Sequence, residues 1–191
     1  MFRDQPLIPA EAIKLAALGF LADGPRRYGD LAAQIRQFTG RIAAPSLDLM
    51  GTSLEALIVE GLAVASEGKG MADNARLGLT PAGHTTLASL LQARLKSPLG
   101  DFTRLALLLK LRFLHHLDPA ERETQMAHIA ETIGDEITRL NELRKSEIGA
   151  PQHYLDWLDA DIAQLQGKLA RLERLASKAS AKQFSKGAAR L

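Results

Sequence analysis

The chain has 191 residues, 46% of them apolar and 24% charged, the balance of a globular protein rather than a disordered one. With no cysteine, disulfide frameworks, thiolate zinc sites and cysteine nucleophiles are excluded, and six Phe, two Tyr and one Trp are too few for a base-stacking single-strand binder. The net charge of +2 and pI near 9.0 are unevenly distributed: residues 168–191 carry +6, so the rest of the chain sums to −4.

No segment reads as a membrane span. The longest uncharged run, residues 77–93, contains Pro81, Gly83, Thr85, Thr86 and Ser89, and the apolar stretch 15–22 is too short. The residues before that stretch mix Asp4 and Glu11 with Arg3 and Lys14, unlike a signal peptide. A cytoplasmic location with no membrane partner is expected.

The first half is built of short elements. Residues 10–21 place Ile13, Ala17, Leu18 and Leu21 on one helical face, closed by Asp23-Gly24-Pro25. A second helix is expected over 30–38, burying Leu31, Ile35 and Phe38. A third follows Ala44-Pro45-Ser46, with Ser46 as cap and Met50, Leu54, Leu57 and Ile58 buried, and it stops at Gly61. Two alternating runs, Leu62-Ala63-Val64-Ala65 and Ala75-Arg76-Leu77-Gly78-Leu79, flank Glu67-Gly68-Lys69-Gly70 and predict a hairpin. Thr80-Pro81-Ala82-Gly83 then opens a helix, with Thr as N-cap and Pro at the first helical position. Three helices, a hairpin and a further helix, in that order, are the layout of a winged helix-turn-helix.

Beyond residue 100 the pattern is helical throughout. Residues 102–117 (Phe102, Leu105, Leu108, Leu109, Phe113, Leu117) are apolar over most of the helix surface, which predicts burial. Asp118-Pro119-Ala120-Glu121 starts a helix striped by Met126, Ile129, Ile133, Ile137 and Leu140 and ended by Gly149-Ala150-Pro151. The last helix repeats Leu155, Leu158, Ile162, Leu165, Leu169 and Leu172 at alternating steps of three and four, a coiled-coil seam. That seam needs a partner: the preceding helix, a second subunit, or both. Both are expected, so Leu105, Leu108 and the seam residues from Leu158 to Leu172 are assigned to a homodimer interface. The fold class is mainly α. A winged-helix domain is expected over 1–97, a coiled-coil-like dimerisation domain over 98–176, and a flexible basic tail over 177–191.

These residues resemble the PadR-like family of winged-helix transcriptional regulators. The resemblance is carried by Ala17-Leu18-Gly19-Phe20-Leu21-Ala22-Asp23-Gly24-Pro25, by Asp30-Leu31-Ala32, and by Met50, Leu54, Leu57, Gly61 and Leu62 in the third helix. Leu79-Thr80-Pro81-Ala82-Gly83 with Leu87, and Tyr154-Leu155-Asp156-Trp157-Leu158, complete it. It spans roughly residues 10–175. It implies a homodimer bound to a palindromic operator, usually as a repressor, and in many relatives released by a small, often aromatic compound. The family's Gly-Thr-Leu-Tyr at the start of the recognition helix is replaced here by Asp48-Leu49-Met50-Gly51, and its His-Gly-Tyr-Glu turn by Arg27-Tyr28-Gly29-Asp30.

Double-stranded DNA is bound mainly by cations on phosphates and read by side chains at base edges. The phosphate set is Arg26, Arg27, Tyr28, Arg41, Lys69 and Arg76; the base readers are Ser46, Thr52 and Ser53, with Asp48 and Glu55 able to accept from cytosine. Those two acidic residues equally support an alternative, a winged-helix dimer that has lost DNA recognition and serves as an interaction or ligand-sensing module. Phe102, Phe113, His116, Tyr154 and Trp157 are the candidates for an aromatic effector site. No phosphate loop, Gly-x-Ser-x-Gly or His-Glu-x-x-His is present, so no enzyme and no cofactor are expected. His115, His116, His128, His153 and Glu131 are metal-type residues, but no histidine pair has i, i+4 spacing, and no metal site is expected.

Overall fold

A computed structural model describes residues 6–42, 50–68, 74–95 and 97–188; the side chains of 50–53 and 178–188 lie outside that description. The chain is mostly helical with one small antiparallel sheet, and it forms two compact units. One comprises Met1–Leu95 with Gly100–Asp118, the other Lys96–Leu99 with Pro119–Leu191.

The first unit is organised around α1 (Pro9–Ala22), which is buried on nearly every side: Ala12, Ile13 and every residue from Leu15 to Leu21 are buried. Glu11 accepts a hydrogen bond from the Ile8 backbone N–H at 3.0 Å, satisfying one orphan donor at the helix start. Around α1 pack α2 (Tyr28–Gly40), α3 (Met50–Val59), α4 (Pro81–Gln92) and α5 (Asp101–Phe113). Leu31 and Ile35 of α2, Leu54 and Leu57 of α3, and Leu87, Leu90 and Leu91 of α4 complete the core. The proposed Ser46 cap lies outside the described residues.

Local chemistry fixes the joints. α3 ends in a Schellman motif: Leu62 N–H donates to Leu57 O at 2.8 Å, Gly61 N–H donates to Ile58 O at 3.0 Å, and Gly61 takes φ +70°. Thr80 caps α4, its Oγ1 accepting from Gly83 N–H at 3.0 Å and donating to Gly61 O at 2.7 Å. A Cβ at Gly83 would sit 2.2 Å from Leu62 O, so only glycine lets the first turn of α4 approach the strand entry.

The sheet has three strands in the order β1-β3-β2, all antiparallel: β1 (Arg26–Arg27), β2 (Ala63–Glu67) and β3 (Arg76–Leu79). The hairpin β2–β3 follows the alternating runs; β1 was not predicted, because two residues carry no periodicity. α2 begins at Tyr28, two residues ahead of the predicted Asp30, directly where β1 ends.

α5 departs from expectation in two ways. It ends at Phe113 and passes into a 3-10 turn, Leu114–His116, before the predicted end at Leu117. It also packs on α1 within the first unit, whereas the sequence grouped it with the C-terminal half. Phe113 lies so close to Gly19 that a Cβ there would stand 2.4 Å from its ring, and its ring meets Phe20 edge-on at 5.0 Å. Leu105, Ala106 and Leu109 are buried, and so is Lys110, whose Nζ donates to the Leu91 carbonyl at the end of α4.

The second unit contains α6 (Pro119–Ser146) and α7 (Gln152–Ala188), packed on each other and joined through a turn in which Gly149 takes φ +83°. The α7 seam faces α6: Leu158, Ile162 and Leu172 are buried, and Leu155, Leu165 and Leu169 half-buried. On α6, Ile129 and Ile133 are buried as expected, but Met126, Ile137 and Leu140 are half-buried. Gln125, Thr132 and Glu136 are buried instead, so the covered face is turned towards polar positions. Glu136 is held by a bidentate pair to Arg139 at 2.7 and 2.9 Å. That hydrogen-bonded guanidinium outweighs burial and lowers the Glu136 pKa, with the Leu99 backbone adding to it. α7 runs on through residues 177–188, the first part of the expected tail, and no Gly or Pro falls between Gly167 and Gly187.

Candidate nucleic-acid interface

The two faces of the sheet divide the arginines that the sequence treated as equivalent. Arg26 pairs with Leu77, which is fully buried, and lies on the inner face. Its Nε donates to Phe20 O at 3.0 Å and its guanidinium lies 5.9 Å from the Phe20 ring centroid. Arg26 therefore anchors β1 to the end of α1. Arg27 points the other way. It pairs with Arg76 across β1–β3, both side chains are exposed, and Glu67 is the next residue in the same row, across β2–β3. Like charges opposite each other in a sheet are unfavourable unless an anion meets them.

The other assigned residues are placed as follows. Tyr28 is the first residue of α2, half-buried, its backbone N–H donating to Ala75 O at 2.8 Å. Arg41 is the exposed C-cap of α2. Glu55 is exposed on α3. Thr52 and Ser53 lie in α3 with side chains outside the description, and Ser46, Asp48 and Lys69 lie outside the described residues.

Of the effector candidates, Phe102, Phe113 and His116 belong to the first unit, and Tyr154 and Trp157 to the second. Phe113 is fully buried against α1, Phe102 and Tyr154 are half-buried, and Trp157 is 69% exposed. Of the interface candidates, Leu105 is fully buried inside the first unit, Leu108 is half-buried, and the α7 leucines and Ile162 line the α6 contact.

One grouping escaped the sequence reading. His115 and His116 converge on Asp23, their Nε2 atoms 3.1 and 3.0 Å from its Oδ1, while Arg112 donates to Oδ2 at 3.3 Å. Asp23 reads locally as part of a helix stop, and its partners lie about ninety residues away. Burial lowers the pKa of His116, against the opposing pull of its hydrogen bond to Asp23.

The order of helices around the small antiparallel sheet defines a winged-helix protein, and the comparisons with known proteins give the family. The model of the AphA-like transcriptional regulators matches residues 2–176, and the chain belongs to that family: it is a PadR-like transcriptional regulator. No curated protein matches the chain. Among solved structures, Bacillus subtilis PadR in complex with p-coumaric acid is 17% identical, the match covering 91% of this chain and 98% of that one with a TM-score of 0.40. Bacillus subtilis PadR in complex with operator DNA is 18% identical over 87% and 98%, with a TM-score of 0.37. The protein smu.1604c from Streptococcus mutans UA159 is 21% identical over 86% and 98%, also at 0.37. No described helix is long and apolar enough to cross a membrane.

Proposed function

We propose that this regulator is a cytoplasmic homodimeric repressor that binds a palindromic operator and is released by a small aromatic effector. The observation that carries the reading is the exposed Arg27–Arg76 pair across the sheet of a winged helix, in a chain of a transcriptional-regulator family. Two cations held side by side gain most from a phosphate between them, and a dimer doubles the contact. Dimerisation is supported by apolar side chains outside the intramolecular seam: Trp157, Leu175 and Ile148 are 69%, 52% and 94% exposed. Trp157 is also the sole tryptophan, so its fluorescence during titration with phenolic compounds tests the effector.

A mobility shift with DNA from upstream of the gene, across a salt series, tests the DNA reading. The expected affinity falls steeply with salt, and replacing Arg27 and Arg76 by Ala reduces the log–log slope by about two per subunit. Deleting residues 177–191 lowers that slope further only if the tail reaches phosphate. No retarded complex at low salt overturns the repressor reading. It leaves the second one, a dimeric sensing module without DNA recognition, which the exposed Glu55 on α3 and Glu67 beside Arg76 support.

A further inference from the structure

The Asp23 grouping has the chemistry of a metal site. Asp23 caps the C-terminus of α1, and the 3-10 turn after α5 presents two consecutive histidines to it, their ring centroids 4.0 Å apart and tilted by 40°. The one carboxylate oxygen and the two imidazole nitrogens all lie within 4.8 Å of one another. Arg112, which lies over both Phe20 and Phe113 at 5.8 and 5.4 Å, holds the second carboxylate oxygen and leaves Oδ1 turned to the imidazoles. Outer partners of this kind orient a ligand and fix its rotamer.

We propose that Asp23, His115 and His116 bind one divalent transition-metal ion of the zinc type, with the fourth position open to solvent. Two imidazoles and one carboxylate suit a borderline ion, whereas calcium and magnesium ask for six or more oxygen-rich positions. A tetrahedral ion with bonds of about 2.0–2.2 Å holds its ligand atoms roughly 3.4 Å apart. The two Asp–His separations of 3.1 and 3.0 Å need open by only a few tenths of an ångström, within reach of small side-chain rotations. Coordination through Nε2 places each imidazole proton on Nδ1, so the metal would take the place of the two contacts to Asp23 Oδ1. The neighbouring Arg112 cation disfavours a second positive charge, which sets this site below closed structural zinc sites in affinity. The ion would tie the end of α1 to the end of α5, three residues before Arg26, and the proposal does not rest on DNA binding.

The test is titration of the tag-free, metal-free full chain with Co²⁺, read by its visible absorption, and with Zn²⁺, read by calorimetry. One ion per chain is expected, with affinity falling at least about tenfold in His116→Ala and in Asp23→Asn. The variant pair His128→Ala/His153→Ala should bind as the parent does. Saturating Zn²⁺ should raise the thermal midpoint of the parent and leave that of His116→Ala in place. No saturable binding below millimolar metal overturns the site, as does full binding by a folded His115→Ala/His116→Ala chain. If loss of His116 prevents folding, His115→Gln at the more exposed ligand keeps the test decisive, because undiminished one-to-one binding there refutes the assignment equally.

Discussion

Helices make up most of both units, yet the two are held together differently. In the first, α1 is enclosed by four helices and the sheet, so its neighbours are fixed by how closely backbones can approach, and glycines stand at the contacts. The second has two long helices meeting along one narrow face, and that face includes Gln125, Thr132 and Glu136. An enclosed core is sensitive to any added atom or buried charge. A helix pair answers to individual polar partners and leaves much of its surface for other contacts. That contrast can be probed one residue at a time.

The largest effect expected in the first unit comes from Lys110. Burial lowers its pKa from 10.5 to about 7, while its Nζ caps the Leu91 carbonyl. In the unfolded chain the amine stays protonated up to its ordinary pKa. The unfolded state therefore binds the extra proton between pH 7 and about 10, and stability rises with pH over that window. The penalty is fully present below pH 7. Lys110→Met should flatten this rise, a difference of the order of 3 kcal/mol between pH 7 and 10, measured by urea unfolding of both chains. Equal slopes in the two would mean that water reaches the amine.

Next is Gly83→Ala. The added Cβ meets the Leu62 carbonyl, a backbone atom that cannot turn aside, so about 2–3 kcal/mol of the first unit's stability should be lost, with the second unit's transition unmoved. Thermal unfolding followed by near-ultraviolet signal and by proteolysis of each unit separates the two. A neutral Gly83→Ala would show that the strand entry can shift, and the contrast between the units would weaken.

These positions also mark what a sequence can disclose. The start of α4 was readable because its cap, Thr80, and first helical residue, Pro81, are adjacent, and the α7 seam because its apolar spacing is sustained over six positions; the close approach at Gly83 was not, since it is made with Leu62. Lys110 was not: its surroundings come from α4, and a lone lysine in an apolar helix looks solvated. The covered face of α6 was misjudged because Glu136 is buried only by virtue of Arg139, one turn on. β1 and the Asp23 grouping depend on pairings about fifty and ninety residues apart, which no local pattern records. Arg26 and Arg27 looked equivalent in the sequence, and the inward turn of the first and the exposure of the second became visible only with the sheet.

In the second unit Arg139→Ala should cost about 1–2 kcal/mol, less than the full value of a buried pair because the guanidinium is itself half exposed. The sign with pH is distinctive. Glu136 has a lowered pKa, so its contribution is present above the ordinary carboxylate range and is lost as pH falls through the folded value. Arg139→Ala should remove that acid sensitivity as well as the stability. Denaturant midpoints at pH 7 and pH 4 check both; a variant that retains the parent's pH dependence would assign it to another carboxylate.

The smallest effect on folding is expected at Trp157. At 69% exposure it makes little of the α6–α7 contact, so Trp157→Ala should change the second unit's stability by no more than about 0.5 kcal/mol. If the surface left over by the narrow seam is where a second subunit docks, the same change should raise the dimer dissociation constant at least about tenfold, because exposed aromatics at the centre of an interface dominate its energy. Sedimentation velocity across a concentration series reads this without reference to DNA. A parent chain that stays monomeric at high concentration removes the second subunit altogether. A dimer unaffected by Trp157→Ala moves the interface away from this part of α7.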